Sequence, residues 1–277
     1  AEGRLALMTG PDGAQLRYTY DALGNLTGVT KLADGTRAWY GYDAPRTHLL
    51  NAVIPFTGVG LAAAYDAEGR LLSVRGIDSW LGASRTGLNS LTVGQSLSAG
   101  GTRHYAFVLG ADELGTSATG AILVGVQLRS AGGLLMPAPV ILGLTSVEET
   151  LNPGASTALF HLTAGKVYVV EVGGFAGNFD VEVFLAGDVN SDARVDGTDK
   201  ALLLAAMGSS TGQPGYVLRA DFNRDGVIDA RDTLHFNAGY AFVANLAPTA
   251  TGSAVTTYKD VPISLDLRNY AADPEGK

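Results

Sequence analysis

Two stretches of this chain, 33 residues apart, place oxygen-bearing side chains at the same five positions of a twelve-residue run. In DVNSDARVDGTD these are Asp188, Asn190, Asp192, Asp196 and Asp199. In DFNRDGVIDARD they are Asp221, Asn223, Asp225, Asp229 and Asp232. No other feature constrains folding as tightly, because alternate residues of a tight loop converge their oxygens on one point, and a hard cation needs about six of them. The seventh residues, Arg194 and Val227, add a backbone carbonyl, and the ninth reach the ion directly or through a water. The twelfth open a helix, whose N-terminus favours a carboxylate. Eight of the 27 acidic residues lie in these runs, so much of the formal charge of −8 is local.

The spacing resembles an EF-hand-type calcium loop, with two departures. Position twelve is Asp in both copies where the general pattern has Glu, and position six is Gly226 in the second copy but Ala193 in the first. An alanine held at positive φ costs on the order of 1 kcal/mol relative to glycine, so loop one is expected to bind the weaker of two calcium ions. Val195 and Ile228 at position eight are expected to pack the loops back to back. A short helix follows each loop, and the helices align at the same offset: Leu203 with Phe236, Ala205 with Ala238, Met207 with Tyr240. Metal-free turns rich in Asp and Asn are the plainer alternative, but two runs in phase with matching helices argue against it.

A duplicated loop ending in Asp, each copy followed by one short helix, resembles the type I dockerin module. The resemblance implies calcium at two sites and a cohesin-like protein partner, read by loop positions ten and eleven and the adjoining helix faces. Those positions are Gly197 and Thr198 in the first copy and Ala230 and Arg231 in the second. The unequal pairs put equivalent binding by the two copies in doubt.

The first eighty residues repeat a shorter unit. AEGRL at Ala1 recurs at Ala67, with ALGNL at Ala22 and the degenerate APRTHLL at Ala44 between them, at intervals of 21, 22 and 23 residues. Tyr20-Asp21, Tyr42-Asp43 and Tyr65-Asp66 precede the last three. This resembles the YD (Rhs-type) repeat. Leu16, Tyr18 and Tyr20 alternate on one face, as do Ala38, Tyr40 and Tyr42, and a glycine-bearing turn follows Asp21 and Asp66, which predicts stacked β-hairpins. The opening within a repeat gives the expectation of a longer array.

From about Leu88 the pattern changes to β-rich runs: HYAFVLGA from His104, AILVGVQLRS from Ala121, PVILGLTS from Pro139, STALFHLTAGKVYVVEVGG from Ser156 and FDVEVFLAG from Phe179. Such spacing predicts a β-sandwich or jelly roll. The run closing at Asp188 resembles the bacterial pre-peptidase C-terminal domain, a non-catalytic accessory. Residues 245–277 resemble the opening of a cadherin-like or Ig-like domain, too short to close a sandwich, and the acids of its closing DPEG are candidates for an interdomain calcium site. The expected fold is mainly β, with YD hairpins over 1–80, a sandwich over 81–187, a small paired EF-hand-like helical module over 188–243, and a linker with a partial sandwich over 244–277.

The charge balance excludes nucleic-acid binding, which needs a basic stripe. No apolar run reaches the roughly 20 residues of a membrane-spanning helix. With no cysteine, rigidity must come from packing and calcium. His48, His104, His161 and His235 show no paired-ligand spacing, and no nucleophile elbow or phosphate-cradling loop occurs. His104 and His161 are expected in structural roles and His235 on the exposed side of its helix, so no enzyme is expected within the chain. These observations give the expectation of a calcium-binding structural or adhesive segment of a large exported bacterial surface protein. Its partners would be a cohesin-like protein, neighbouring domains or subunits, or a polysaccharide. The alternatives are the accessory tail of a secreted carbohydrate-active hydrolase and a fragment of an Rhs-type toxin carrier.

Overall fold

The computed structural model describes residues 3–42, 48–83, 89–110, 120–130, 132–163, 166–242, 249–250, 252 and 271–272. Its first seven strands, β1 (Leu7–Thr9), β2 (Gln15–Tyr20), β3 (Leu26–Lys31), β4 (Arg37–Tyr42), β5 (Leu50–Ile54), β6 (Gly60–Tyr65) and β7 (Leu71–Ile77), form one sheet in sequence order. Every neighbouring pair is antiparallel. The repeated dipeptides explain the hairpins. Asp21 Oδ1 accepts from the amides of Leu23 and Asn25, and Asp66 Oδ1 accepts from those of Glu68 and Arg70. Gly24 and Gly69 supply the positive φ, 90° and 83°, that each turn needs.

The tyrosines carry a role that the alternation pattern did not reveal. Tyr20, Tyr42 and Tyr65 each donate a hydroxyl hydrogen bond to a leucine carbonyl of the preceding repeat, those of Leu5, Leu26 and Leu50, at 3.0, 3.1 and 2.7 Å. The strand register shifts at each of these tyrosines. Every repeat is thus pinned to the one before it. One face of this sheet, through Ala52, Ile54, Ala62 and Ile77, packs on Ala106, Val108, Val167 and Val169 of the layer that follows.

That layer belongs to a sandwich of two sheets. The first has the order β12-β15-β10-β8 and the second β13-β14-β11-β16-β9. The strands are β8 (Ser79–Ala83), β9 (Asn89–Leu97), β10 (Thr102–Leu109), β11 (Ile122–Arg129), β12 (Val140–Ile141), β13 (Glu148–Asn152), β14 (Ala155–Leu162), β15 (Lys166–Gly173) and β16 (Gly177–Leu185). Among the described strands only β8 runs parallel to its neighbour. PVILGLTS contracts to the two-residue β12, because Leu144 turns back to the Ile141 carbonyl with Gly143 at φ 79°. Strands β8, β9 and β13 were not expected; β13, EETLN, is an edge strand without a buried residue.

Strand β16 leads into Asp188 within three residues, and two helices follow, α1 (Gly197–Ala206) and α2 (Ala230–Gly239). Val189, Val195, Leu203, Ala206, Phe222, Ile228, Phe236 and Phe242 join the sandwich interior in one continuous core. The approach is close: a Cβ on Gly239 would lie 3.3 Å from the Ala186 carbonyl oxygen. Beyond residue 242 only β17 (Thr249–Ala250), paired with β18 (Ala271–Ala272), and Gly252 are described. The rest of the expected partial domain, its DPEG acids included, lies outside the described residues.

Candidate metal centre

Each acid run folds into a loop whose carboxylates accept its own backbone N–H groups, and most of these bonds recur in both loops. In loop one, Asp188 accepts from the amides of Asp192 (3.0 Å) and Ala193 (2.9 Å); in loop two, Asp221 accepts from those of Asp225 (3.2 Å) and Gly226 (2.9 Å). Asn190 and Asn223 accept from the amides of Asp192 and Asp225. Those two acids in turn accept from the position-seven amides of Arg194 and Val227. Ser191 and Arg224 at position four, and Ala193 and Gly226 at position six, all take positive φ: 66°, 60°, 65° and 93°. Only position six was legible as such a site.

Positions nine and twelve serve the helices as well. Asp196 and Asp229 cap α1 and α2 by accepting from the amides of Thr198 and Arg231, each at 2.7 Å. Asp199 accepts from the amides of Val189, Asn190 and Asp196, and Asp232 from those of Phe222 and Asp229. The reciprocal bonds between positions nine and twelve are capping boxes. These four acids thus have a capping role beside the expected ion-binding one, and the D-x-x-D spacing carries its signal.

Val195 and Ile228 are both fully buried, but their backbones pair crosswise. Val195 exchanges bonds with Ala241 and Phe242, which follow α2, and Ile228 with Gly208 and Ser209, which follow α1. The backbone of each loop is therefore tied to the segment beyond the other copy's helix, while both side chains lie in one core.

The donor set fits a hard divalent cation. Each loop offers four carboxylates and one amide oxygen, with no sulfur or imidazole among them. Among the described residues no three Asp, Glu, His or Cys side chains form a ready-made cage. The electrostatics point to a cation. Burial pushes the Asp232 carboxyl up to about 6, and the nearby carboxylates of Asp221 and Asp225 add to the shift. Burial also raises Asp199, with Asp192 adding, and Asp221, with Asp225 adding. An ordinary turn acid behaves oppositely: Asp34 is drawn below its usual range by the hydroxyl and amide of Thr36. Crowded acids whose charged form is disfavoured are what a cation relieves.

Residues 186–237 match the family model of the Dockerin type I domain. Residues 1–37 match that of the RHS Repeat. Neither a curated protein nor a solved structure matches the chain. Dockerin domains bind calcium and cohesin partner proteins, and both domain types are non-catalytic and typical of extracellular or cell-surface proteins.

In the dockerin segment Gly197, Thr198, Ala230 and Arg231 are all exposed. The second copy has a further neighbour. Glu148 of β13 accepts from Asn223 Nδ2 (2.9 Å), lies 2.7 Å from His235 Nε2 and pairs with Arg231 at 3.4 Å. Burial alone would raise Glu148, yet the donors Asn223 and His235 and the charges of His235 and Arg231 hold it below its usual value. His235 is thus buried, 6% exposed, and not on the open side of α2 as the helical pattern suggested; the sandwich covers it. Tyr216 adds a hydroxyl bond to Asp221 at 2.6 Å. Of the other histidines, His104 is buried against Glu171 at 2.9 Å, His48 meets Asn25 at 2.6 Å, and His161 is exposed. No described helix is long and apolar enough to cross a membrane, which says nothing of β-barrels.

Proposed function

We propose that this chain is a calcium-rigidified, non-catalytic connecting and docking segment of a large exported bacterial surface protein. It holds two calcium ions. Asp188, Asn190, Asp192, Asp196, Asp199 and the Arg194 carbonyl would hold one; Asp221, Asn223, Asp225, Asp229, Asp232 and the Val227 carbonyl would hold the other. Calcium supplies positive charge that neutralises the crowded carboxylates and cross-links the start of each loop to its helix. The observation that carries this reading is the recurrence of the same carboxylate-to-amide bonds in two acid loops, with the carboxyls of Asp199, Asp221 and Asp232 raised by burial.

Calorimetric titration of the full chain tests it. Two calcium ions are expected to bind, Asp188→Ala and Asp221→Ala are each expected to remove one, and the second loss is expected to be the larger in free energy. A wild-type stoichiometry below two overturns the reading. A second reading, favoured by the dockerin match, is the accessory tail of a secreted hydrolase that docks on a cohesin scaffold. The sandwich then serves as an accessory domain of the kind its resemblance to pre-peptidase C-terminal domains suggests. A catalytic domain joined to this chain in the intact protein would favour it.

A further inference from the structure

The third position of each loop is an asparagine, whose amide can turn either its oxygen or its nitrogen toward an ion. Only the oxygen ligates calcium. In loop two, Asn223 Nδ2 donates to Glu148 Oε1 at 2.9 Å and to Asp225 Oδ2 at 3.0 Å. Turning this amide over would set its oxygen against the Glu148 carboxylate, which has nothing to donate, so the bond from the sandwich fixes which end is left for the ion. Glu148 is itself held in place by α2, with Oε2 2.7 Å from His235 Nε2 and Oε1 3.4 Å from Arg231 Nη1. Asn152, on the same strand β13, donates at 3.1 Å to the carbonyl of Arg224, the next residue of the loop. Loop one lacks this support at its asparagine. Asn190 is exposed, and among the described residues its Nδ2 bonds only within the loop, to Asp192 at 2.9 Å. At the 33-residue offset His235 and Arg231 are replaced by Leu202 and Thr198, neither of which has a side-chain nitrogen to hold a carboxylate.

We propose that Glu148 is a positioning residue of the second calcium site, a sandwich side chain that aims the Asn223 oxygen at the ion and makes loop two the tighter of the two. The proposal rests on the two-calcium reading above and adds a residue that the loop pattern does not contain, since Glu148 lies outside the residues 186–237 that match the dockerin model. A ligand already turned toward its ion has less freedom left to lose on binding. Position six separates the loops less, because Ala193 and Gly226 share a positive φ, 65° and 93°. The coupling runs both ways. An ion that holds the Asn223 oxygen also holds the donor of Glu148, so filling loop two fastens α2 and its loop to β13, and filling loop one does not.

The test uses the full chain with loop one disabled by Asp188→Ala, so that calcium titration reads loop two alone. In that background Glu148→Ala is expected to weaken calcium binding about tenfold or more, and Glu148→Gln, which keeps an oxygen to accept from Asn223, by less than about threefold. Equal losses would assign the effect to the charge of Glu148 and overturn the positioning role. Asn223→Asp removes the donor, so adding Glu148→Ala to it is expected to cause no further loss; a further loss as large as in the Asn223 chain also overturns the role. Thermal melts with calcium and with EDTA separate positioning from simple support: a merely structural Glu148 lowers both melts alike, whereas positioning lowers the calcium-bound melt more. Wild type that binds fewer than two calcium ions overturns the two-calcium reading itself, whatever the Glu148 variants do.

Discussion

In loop one Asp188 gathers the amides of Asp192 and Ala193; in loop two Asp221 gathers those of Asp225 and Gly226, and the match continues through both capping boxes. Outside the loops the match ends. Copy two is held by Glu148, Asn152, Phe184 and Tyr216, whereas the copy-one counterparts of Asn223, Arg224, Arg231 and His235, namely Asn190, Ser191, Thr198 and Leu202, face solvent. A duplicated segment can thus keep its local chemistry in both copies while the surroundings of the two copies differ.

Removing calcium should widen this difference most. Calcium at a thousandfold excess over Kd contributes about 4 kcal/mol per site, enough to decide whether so small a module folds. With EDTA we expect amide exchange to accelerate across both loops. The acceleration should be greater in α1 than in α2, because β13 retains contacts to the second copy that need no metal. Equal acceleration in the two helices would show that the sandwich contacts do not stabilise copy two. Unchanged exchange in both would sink the calcium reading.

The sandwich contact can also be cut directly. Glu148→Ala removes the acceptor shared by Asn223, Arg231 and His235 and leaves the buried imidazole unmatched, a cost of about 1–3 kcal/mol. Thermal melts should drop accordingly, and calcium affinity should fall at loop two and hold at loop one. A variant that weakens both loops equally would mean that the segment responds as a single unit.

How far the sequence revealed this arrangement depends on how far apart the interacting residues lie. The loops were legible because each needs only twelve consecutive residues, and the hairpin turns because Asp21 and Asp66 close them on amides two and four residues ahead. Both are local chemistry. Glu148 lies 75 residues before Asn223 and 87 before His235, in a strand whose EETLN sequence resembles a polar loop. Helical periodicity could not place His235, because the surface that buries it belongs to another part of the chain. PVILGLTS shows the converse: its β-branched content suggested a strand, and one turn at Gly143 cut it to two residues.

The smallest expected effect concerns position six, where the loops differ in sequence but share a conformation. Gly226 sits at φ 93°, and a Cβ there would lie 3.2 Å from Thr211 Oγ1. Gly226→Ala should therefore cost about 1 kcal/mol from backbone strain, with the Thr211 contact adding to it. The reverse change is not its mirror image. Ala193→Gly relieves about 1 kcal/mol of strain at φ 65°, but Ala193 is only 2% exposed, so losing its buried methyl gives back about 0.8 kcal/mol. The two contributions nearly cancel, and calcium affinity at loop one should barely move, while Gly226→Ala weakens loop two about fivefold, the equivalent of 1 kcal/mol. If Ala193→Gly instead tightened loop one by about fivefold, its buried methyl would contribute little, and the alanine alone would account for the weaker binding expected of that loop.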